Sequence, residues 1–485
     1  MYADRPVAQE PVMHAIPCNG KGYTRSEDVL TVREPQHCGA RWSGDDRDGH
    51  SMRGGTSTAS GGRGTVATHG TDGLTNTDAD NALIYERAAR ALMIAFLSLG
   101  FPIGVLITRL AEIKADIGAT TGSFGTALAV GGVGALLGTN LGSRLVHAFG
   151  SRTVALATVS VQALTVVSNA LVPNVAAFTI VSFSFAALMS VTNVGVNSQA
   201  VLIEQHLGRS FVPRAHGMWS VGTFGASLVS SLAAPYVSPL VALVVAATLS
   251  LALFFRAGLQ LLPPHLDDRP HDDPTQLPRT ERMPKGLRNF LFLLAVAQTL
   301  GLAAEMTVGD WGAVLLHEDF GVAIGRNGLG FTVFMGVMSF VRFFSPRYID
   351  RFGLDRVIRT LAISGAIGFA AMLTVARLVA PQSADGALVA MCVGYVFMAF
   401  AVGAMPPAFT TAAGRINGLP SARAIAFTAS VVSIVNIALR LAFAQIADAV
   451  GLPYALYLAS ALVITTGLMA SMLHPAKAEA HAIQR

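Results

Sequence analysis

The segments GSRLVHAFGSR at residues 142–152 and SPRYIDRFGLDR at residues 345–356 are two copies of one pattern. An arginine, a phenylalanine and a glycine recur at the same three places, at a constant offset of 203 residues, as from position 144 to position 347. Each copy lies between two long apolar stretches, as expected for parallel repeats related by an axis along the membrane normal. The aligned residues are Arg144, Phe149 and Gly150 in the first copy and Arg347, Phe352 and Gly353 in the second.

The composition around these loops is that of a membrane protein. Of the 485 residues, 52% are hydrophobic and only 13% are charged, and the mean hydropathy is +0.53. Soluble domains carry about 25% charged residues. Apolar stretches of about 20 residues recur along the chain, and each can cross ~30 Å of hydrocarbon as a helix. The sequence therefore predicts an all-α membrane protein and excludes a soluble enzyme.

Twelve apolar spans follow one another between residues 88 and 473, and the longest break between them contains six prolines and four aspartates. The polar residues before the first span show no apolar periodicity, which predicts disorder. An alternative start at Met52 would shorten this tail. The predicted segments are a disordered cytoplasmic tail at 1–86, a six-helix half at 87–259, a cytoplasmic linker at 260–287, a second six-helix half at 288–473 and a cytoplasmic C-terminal tail at 474–485.

The distribution of Lys and Arg predicts the orientation, because cytoplasmic loops are enriched in both residues. Setting the N-terminal tail aside, 21 Lys and Arg fall at the start of span one, in the even-numbered loops and at the C-terminus. The odd-numbered loops carry four, namely Arg109, Lys114, Arg326 and Arg377. We therefore predict that both termini and the linker face the cytoplasm.

The two loop copies resemble the signature loop of the major facilitator superfamily, which reads roughly Gly-x-x-x-Asp-Arg-x-Gly-Arg-Arg. The second copy matches it with Asp350 and Arg351, whereas the first copy has Val146 and His147 in place of the acid and the base. The resemblance implies twelve transmembrane helices in two six-helix halves, with the loops taking part in the conformational change. The loop residues that it points to are Gly142, Arg144, Gly150, Arg347, Asp350, Arg351 and Gly353.

A closer resemblance covers about residues 88–473 and points to uncharacterised bacterial inner-membrane members of this superfamily, related to fucose-permease-like sugar and proton symporters. Three motifs carry it: NVGVNSQ at 193–199, HGMWSVG at 216–222 and EMTVGDW at 305–311. Relatives often have Asp at the position of Asn193, so a proton site there would be absent from this chain. The resemblance implies a location in the bacterial inner membrane.

Charged side chains within the spans are the main candidates for function, because a charge at the bilayer centre costs about 2.5–3.5 kcal/mol. Glu305 and Asp310 interrupt span seven and lie about 140° apart on an ideal helix, so they share a face only where the helix unwinds. Glu305 is a candidate proton carrier or half of a structural ion pair. Asp310 is a candidate for coupling, gating or a structural role.

Polar side chains in two other spans complete the candidate site. Arg440 lies in the middle of span eleven with Asn436 one turn before it, and it can hold a polar substrate or pair with Glu305. Asn193 and Asn197 are one turn apart in span four, where they suit a hydroxyl-rich ligand or hydrogen bonds between helices.

Two further patterns predict helix packing and helix ends. Gly134, Gly138 and Gly142 form successive small-x-x-x-small steps, which allow two helices to approach closely. The pair Pro406 and Pro407 should break or bend span ten.

Taken together, these features predict a secondary transporter that moves a small polar, sugar-like solute by alternating access with proton coupling. No GxxxxGK[ST] loop occurs, so ATP is not the direct energy source, and no motif indicates a metal or another cofactor. The alternatives are proton-driven export of drugs or metabolites, a non-transporting sensor and an intramembrane enzyme. The expected partners of the monomer are the solute, protons and the lipid bilayer. Nucleic acid is excluded because the basic residues are distributed between the spans.

Overall fold

The computed structural model describes residues 75–208, 211–263, 266, 283–414 and 421–473. Most of the predicted N-terminal tail, most of the predicted linker and the predicted C-terminal tail lie outside the described residues. Within them all regular structure is helical, which confirms the all-α class.

The helices follow the predicted order of spans. Their bounds are α1 Thr75–Asp116, α2 Thr121–Phe149, α3 Ser151–Ser168, α4 Val175–Leu207, α5 Val212–Ala233, α6 Pro239–Gly258, α7 Lys285–Val314, α8 Leu329–Phe352, α9 Leu354–Val379, α10 Ala384–Val402, α11 Met405–Gly414, α12 Ser421–Val450 and α13 Leu452–Met469. A π-helical turn, Leu315–Asp319, extends α7, and short 3-10 turns lie at Arg326–Gly328 and Ala470–Leu473. In the described residues, ten helical segments are long and apolar enough to cross a membrane. The helices α3 and α5 occupy the places of the predicted spans three and five.

Span ten consists of two helices. The helix breaks at Gly403 and Ala404, and α11 then begins with Pro406 in its first turn. A proline is tolerated there because the first N–H groups of a helix have no partner within it. The predicted break at the proline pair is confirmed.

The first helix begins earlier than the sequence predicts. Helix α1 starts at Thr75, inside the segment predicted to be disordered, so the prediction is wrong for residues 75–86. Tyr85 stacks on His206 of α4, with ring centroids 3.6 Å apart, and Ala88, Ala89 and Leu92 continue this buried surface. The apolar stripe of α1 therefore extends about one turn before the predicted span, which accounts for the helix as far back as Tyr85.

Glycine stripes hold neighbouring helices together inside the first half. A Cβ at Gly134 or Gly138 of α2 would lie well inside van der Waals contact with a backbone carbonyl oxygen of α4, at Phe183 and Ala187 respectively. This confirms that the stripe serves helix packing. The helices α1 and α5 approach equally closely at Gly222, which faces the backbone of Leu97.

The two loop copies fold alike. Gly150 joins α2 to α3 with φ +83° and ψ 151°, and Gly353 joins α8 to α9 with φ +86° and ψ 146°. In each loop the glycine N–H donates to the carbonyl oxygen four residues earlier, at Val146 (2.8 Å) or Ile349 (2.9 Å). A side chain at either glycine would be strained, because only glycine adopts such φ values readily. We call this the repeat-loop end of the bundle, and the end that carries the π-helical turn the π-turn end.

Candidate functional site

Helix α7 carries both candidate carboxylates and is continuous through them. Its α-helical hydrogen bonding runs from Lys285 to Val314, so the unwinding that would bring Glu305 and Asp310 to one face does not occur. The two side chains therefore point in different directions, and each forms an ion pair with a different helix.

Glu305 forms an ion pair with Arg342 of α8. Its Oε1 accepts from Nη2 of Arg342 at 2.9 Å, and Nη1 of the same arginine donates to Oγ of Ser220 in α5 at 3.1 Å. The carboxylate is mostly buried, and among the described residues Oε2 of Glu305 accepts no hydrogen bond. Because α5 belongs to the first six helices and α8 to the second, this arginine joins the two halves beside a carboxylate that has an unused oxygen.

Asp310 forms an ion pair with Arg440 of α12, five residues further along α7. Both side chains are largely buried, at 16% and 18% exposed. Nε of Arg440 and Oδ1 of Asn436, one turn before it, are buried and have no hydrogen-bond partner within the described part of the chain. A donor and an acceptor are thus left unused on one face of α12, and an unpaired buried polar atom is costly unless a ligand or water satisfies it.

These partners correct the proposed pairing of Glu305 with Arg440. Spacing along a single helix fixes the angle between two carboxylates, whereas the helix that each one meets depends on how α7 is rotated within the bundle. The sequence argument also misses Arg342, which lies near the end of the apolar span before the second repeat loop. It lies within α8, and the only signal in the sequence was a charge inside an apolar run.

Asn197 and His216 form a second polar cluster. Oδ1 of Asn197 lies 3.1 Å from Nε2 of His216 in α5, and its Nδ2 donates to the carbonyl oxygen of Asn193 at 2.8 Å. The His216 ring is exposed and meets the edge of the Phe96 ring. The carbonyl oxygen of His216 accepts from Oγ of Ser220 at 3.2 Å, and Arg342 donates to the same hydroxyl. Of the two asparagines predicted from helix spacing, Asn197 thus has both polar atoms of its amide in hydrogen-bond contact. His216 connects this cluster to the Glu305 site.

The halves meet at the π-turn end through several polar contacts. Nζ of Lys114 in α1 lies 2.7 Å from Oε2 of Glu318 in the π-helical turn. The backbone N–H of Gly122, in the first turn of α2, donates to Oδ1 of Asp448 in α12 at 2.7 Å. A carboxylate at this position also meets the positive end of the helix dipole of α2.

An aromatic contact accompanies these polar contacts. The Trp311 ring, from α7, lies 6.0 Å from both Phe124 of α2 and Phe443 of α12, measured between ring centroids. Together the polar and aromatic contacts close the π-turn end across both halves.

The buried Arg109 of α1 was missed as a structural residue, because the sequence argument places it in a loop. Its Nε donates to Oγ of Ser230 at 3.1 Å, its Nη2 donates to the Ser230 carbonyl oxygen at 3.2 Å, and Nη1 lies 2.8 Å from Glu112. These contacts join α1 to α5 within one half, so Arg109 fixes the first half near the closed end.

The predicted loop residues lie at the repeat-loop end. Gly142 is buried against α4, whereas the side chain of Arg144 is exposed. Arg347 lies over the Phe344 ring and Arg351 over the Phe352 ring, at 5.4 and 5.2 Å from the ring centroids. The side chain of Asp350 lies outside the described residues.

A family model described as Major Facilitator Superfamily matches residues 92–418, about two thirds of the chain. The chain belongs to the major facilitator superfamily. The resemblance of the two loops is thereby confirmed, as is the fold of twelve transmembrane helices. Members of this family are multi-pass membrane transporters, and the chain is a transporter rather than an enzyme.

Two relatives share this membership. An uncharacterised MFS-type transporter of Yersinia pestis is 29% identical over 314 residues, which cover 64% of this chain and 77% of the relative. An uncharacterised transporter of Sinorhizobium fredii is 28% identical over 345 residues, covering 70% of this chain and 86% of the relative. Both relatives are bacterial, as the predicted location requires.

Solved structures of the superfamily have the same fold. The nucleoside transporter NupG, in a D323A mutant, matches with a TM-score of 0.63 at 15% identity, covering 80% of this chain and 99% of its own. A D-xylose–proton symporter matches at 0.61 with 14% identity, covering 79% and 97%. The xylose transporter XylE of E. coli, in an inward open conformation, matches at 0.61 with 12% identity, covering 81% and 96%.

Proposed function

We propose that this chain is a proton-coupled secondary transporter that moves a small, neutral, hydroxyl-rich solute by alternating access. The superfamily provides the transporter fold, and the solute and the coupling ion are our proposal. Nucleosides and xylose, the solutes after which the structural neighbours are named, both carry several hydroxyl groups. The proposal extends that solute chemistry to this chain because of the polar groups in its own site.

The polar groups around α7 suit a neutral ligand. Each of the two carboxylates is already paired with an arginine, so a charged solute would have to displace an internal partner. The groups left with unused hydrogen-bonding capacity are Oδ1 of Asn436, Nε of Arg440 and Oε2 of Glu305. A hydroxyl group both donates and accepts, and can therefore satisfy acceptors and donors of this kind together.

The Glu305–Arg342 ion pair is the observation that supports proton coupling. Arg342 contacts Glu305 within its own half and Ser220 in the other half. A relative movement of the halves therefore changes which groups hydrogen-bond to the Arg342 guanidinium. When the arginine moves away, a carboxylate inside the membrane needs another source of neutralisation, and a proton supplies it. Proton binding then depends on which side of the protein is open.

We also propose that the repeat-loop end faces the cytoplasm, on the strength of the 21-to-4 distribution of Lys and Arg. With this orientation, the closed π-turn end faces outward. Reporter fusions in the linker should be active on the cytoplasmic side. Periplasmic activity there would contradict this orientation.

A ligand screen followed by a transport assay tests the proposed function. Purified protein is screened for thermal stabilisation by pentoses, hexoses, nucleosides, amino acids and organic acids, since a ligand that binds the folded state raises the melting temperature. The stabilising compound is then offered to proteoliposomes with and without an imposed pH gradient. We expect a hydroxyl-rich neutral compound to accumulate only with the gradient and to be lost on adding an uncoupler. Stabilisation by charged solutes alone, or accumulation that ignores the gradient, would contradict the proposal.

A further inference from the structure

A groove of about 480 Å³ opens between α8, α9 and α10, away from the site on α7. One wall is a stripe on α8 formed by Phe340, Phe344, Tyr348 and Phe352, which lie four residues apart and so share one face of the helix. Phe400 of α10 contributes to another wall. We call this the aromatic groove.

The aromatic groove lies on the side of α8 opposite the transport residues. Phe340 and Phe344 are each two residues from Arg342, a rotation of about 200° on an ideal helix. Since Arg342 contacts α7 and α5, the stripe points away from both. Phe340, Tyr348 and Phe352 are each about half exposed, at 53%, 56% and 51%, so the described chain leaves this surface largely uncovered.

The dimensions of the stripe fit one acyl chain. The twelve residue-to-residue steps from Phe340 to Phe352 rise about 18 Å along the helix. That length is comparable to the thickness of one leaflet, which is half of a hydrocarbon core of ~30 Å. An acyl chain from the adjacent leaflet can therefore lie along it.

Positive charge is concentrated at the surface end of the same groove. Arg356, in the first turn of α9, lines the groove, while Arg347 and Arg351 lie over the rings of Phe344 and Phe352. Among the side chains that the structure describes, no carboxylate forms an ion pair with these three arginines. An apolar groove that ends beside three arginines with no described carboxylate partner complements a molecule with an apolar chain and an anionic head.

We propose that the aromatic groove binds an anionic phospholipid, with an acyl chain along the α8 stripe and the phosphate at Arg356. Basic pockets between helices at the membrane surface recognise anionic headgroups in this way. The site is separate from the proposed solute site, because no groove-lining residue is a partner of Glu305, Asp310 or their arginines in the hydrogen bonds and ion pairs of the described structure.

Quenching by brominated lipids tests the proposal on the full-length protein. A tryptophan introduced by Tyr348→Trp reports on the groove, and one introduced by Leu164→Trp, at an exposed position of α3, reports on general lipid-facing surface. Each variant is titrated with phosphatidylglycerol or phosphatidylcholine carrying the same brominated chains. We expect phosphatidylglycerol to quench the tryptophan at position 348 at a mole fraction at least fivefold lower than phosphatidylcholine does, whereas the two lipids quench equally at position 164.

Charge variants decide what causes the preference. Arg356→Gln, added to Tyr348→Trp, should remove at least half of the preference, and Arg356→Lys should retain most of it. Arg359→Gln, one turn away and outside the groove lining, is the matched control and should leave it unchanged. Equal quenching by both lipids at position 348, or a preference equally sensitive to Arg356→Gln and Arg359→Gln, would overturn the proposal. Gel filtration and circular dichroism confirm that each variant folds.

Discussion

Single residues inside the membrane determine which helices α7 binds. Glu305 and Asp310 are only five positions apart, yet one holds Arg342 of α8 and the other holds Arg440 of α12. Because removing one partner of a buried ion pair leaves an uncompensated charge, the cost is typically 3–5 kcal/mol, whereas removing both partners is often nearly neutral. The pairing can therefore be tested by stability alone.

The Asp310–Arg440 pair predicts a specific rescue. Arg440→Met should lower the melting temperature of the purified protein by several degrees, because it leaves the Asp310 carboxylate unpaired. Combining it with Asp310→Asn should recover most of the lost melting temperature. The matched control combines Arg440→Met with Glu305→Gln. Its melting temperature should remain low because Glu305 pairs with another arginine. Rescue by Glu305→Gln instead would show that the pairing is wrong.

The close packing of the α2 glycines leads to a second prediction at the scale of single residues. Gly138→Ala places a methyl group against the carbonyl oxygen of Ala187 and should destabilise the protein by about 1–3 kcal/mol, the usual cost of overpacking. Gly225→Ala is the control, because a Cβ there meets nothing within 4 Å. Thermal unfolding in detergent measures both variants. An equal effect of the two substitutions would show that the glycine stripe of α2 has no special role in helix packing.

At the scale of elements, the helices could be predicted from the sequence and their partners could not. Apolar length and proline placement gave the spans, including the break before Pro406, because both are properties of a local segment. The partner of Glu305, the role of Arg342 and the cross-half bond of Asp448 depend on how helices distant in sequence are rotated and packed. Local periodicity contains no information on those rotations.

The closed π-turn end makes a prediction about two elements, α2 and α12. Thr126 and Gln445 are in hydrogen-bond contact across the halves, with Nε2 of Gln445 3.2 Å from Oγ1 of Thr126. In a background with the native cysteines replaced, Thr126→Cys and Gln445→Cys should be joined by a short bifunctional thiol reagent. The linked protein should lose transport because the two halves can no longer separate there. Efficient linking with full transport would show that this end does not open.

Asp448→Asn should weaken the same closed end, because a neutral amide interacts less with the N-terminus of α2 than a carboxylate does. The cysteine pair at positions 126 and 445 should then be joined more slowly than with Asp448 intact. Asp385→Asn is the control, since Asp385 forms an exposed ion pair with Arg326 away from this contact. Unchanged linking in the Asp448 variant would show that the other contacts at this end, the Lys114–Glu318 ion pair and the Trp311 rings, are sufficient for closure.

At the scale of the whole molecule, the start of α1 limits how much of the N-terminus can be removed. Truncation before residue 70 should leave stability and transport near those of the full chain, because the removed sequence is polar and lacks apolar periodicity. Truncation before residue 87 should lower the melting temperature, because it removes the stacking of Tyr85 on His206. If both truncations behave alike, the early start of α1 has no role in stability.

In the proposed mechanism, energy coupling requires both halves and depends on the Glu305–Arg342–Ser220 contact. The most direct test compares two transport modes of Glu305→Gln in proteoliposomes: accumulation of solute driven by a pH gradient, and counterflow exchange without a gradient. Asp385→Asn serves as the carboxylate control. We predict that Glu305→Gln abolishes accumulation and retains counterflow, because the amide can bind and reorient but cannot carry a proton, while the control retains both modes. Wild-type accumulation by a folded Glu305→Gln protein would contradict the account and exclude Glu305 as the proton carrier.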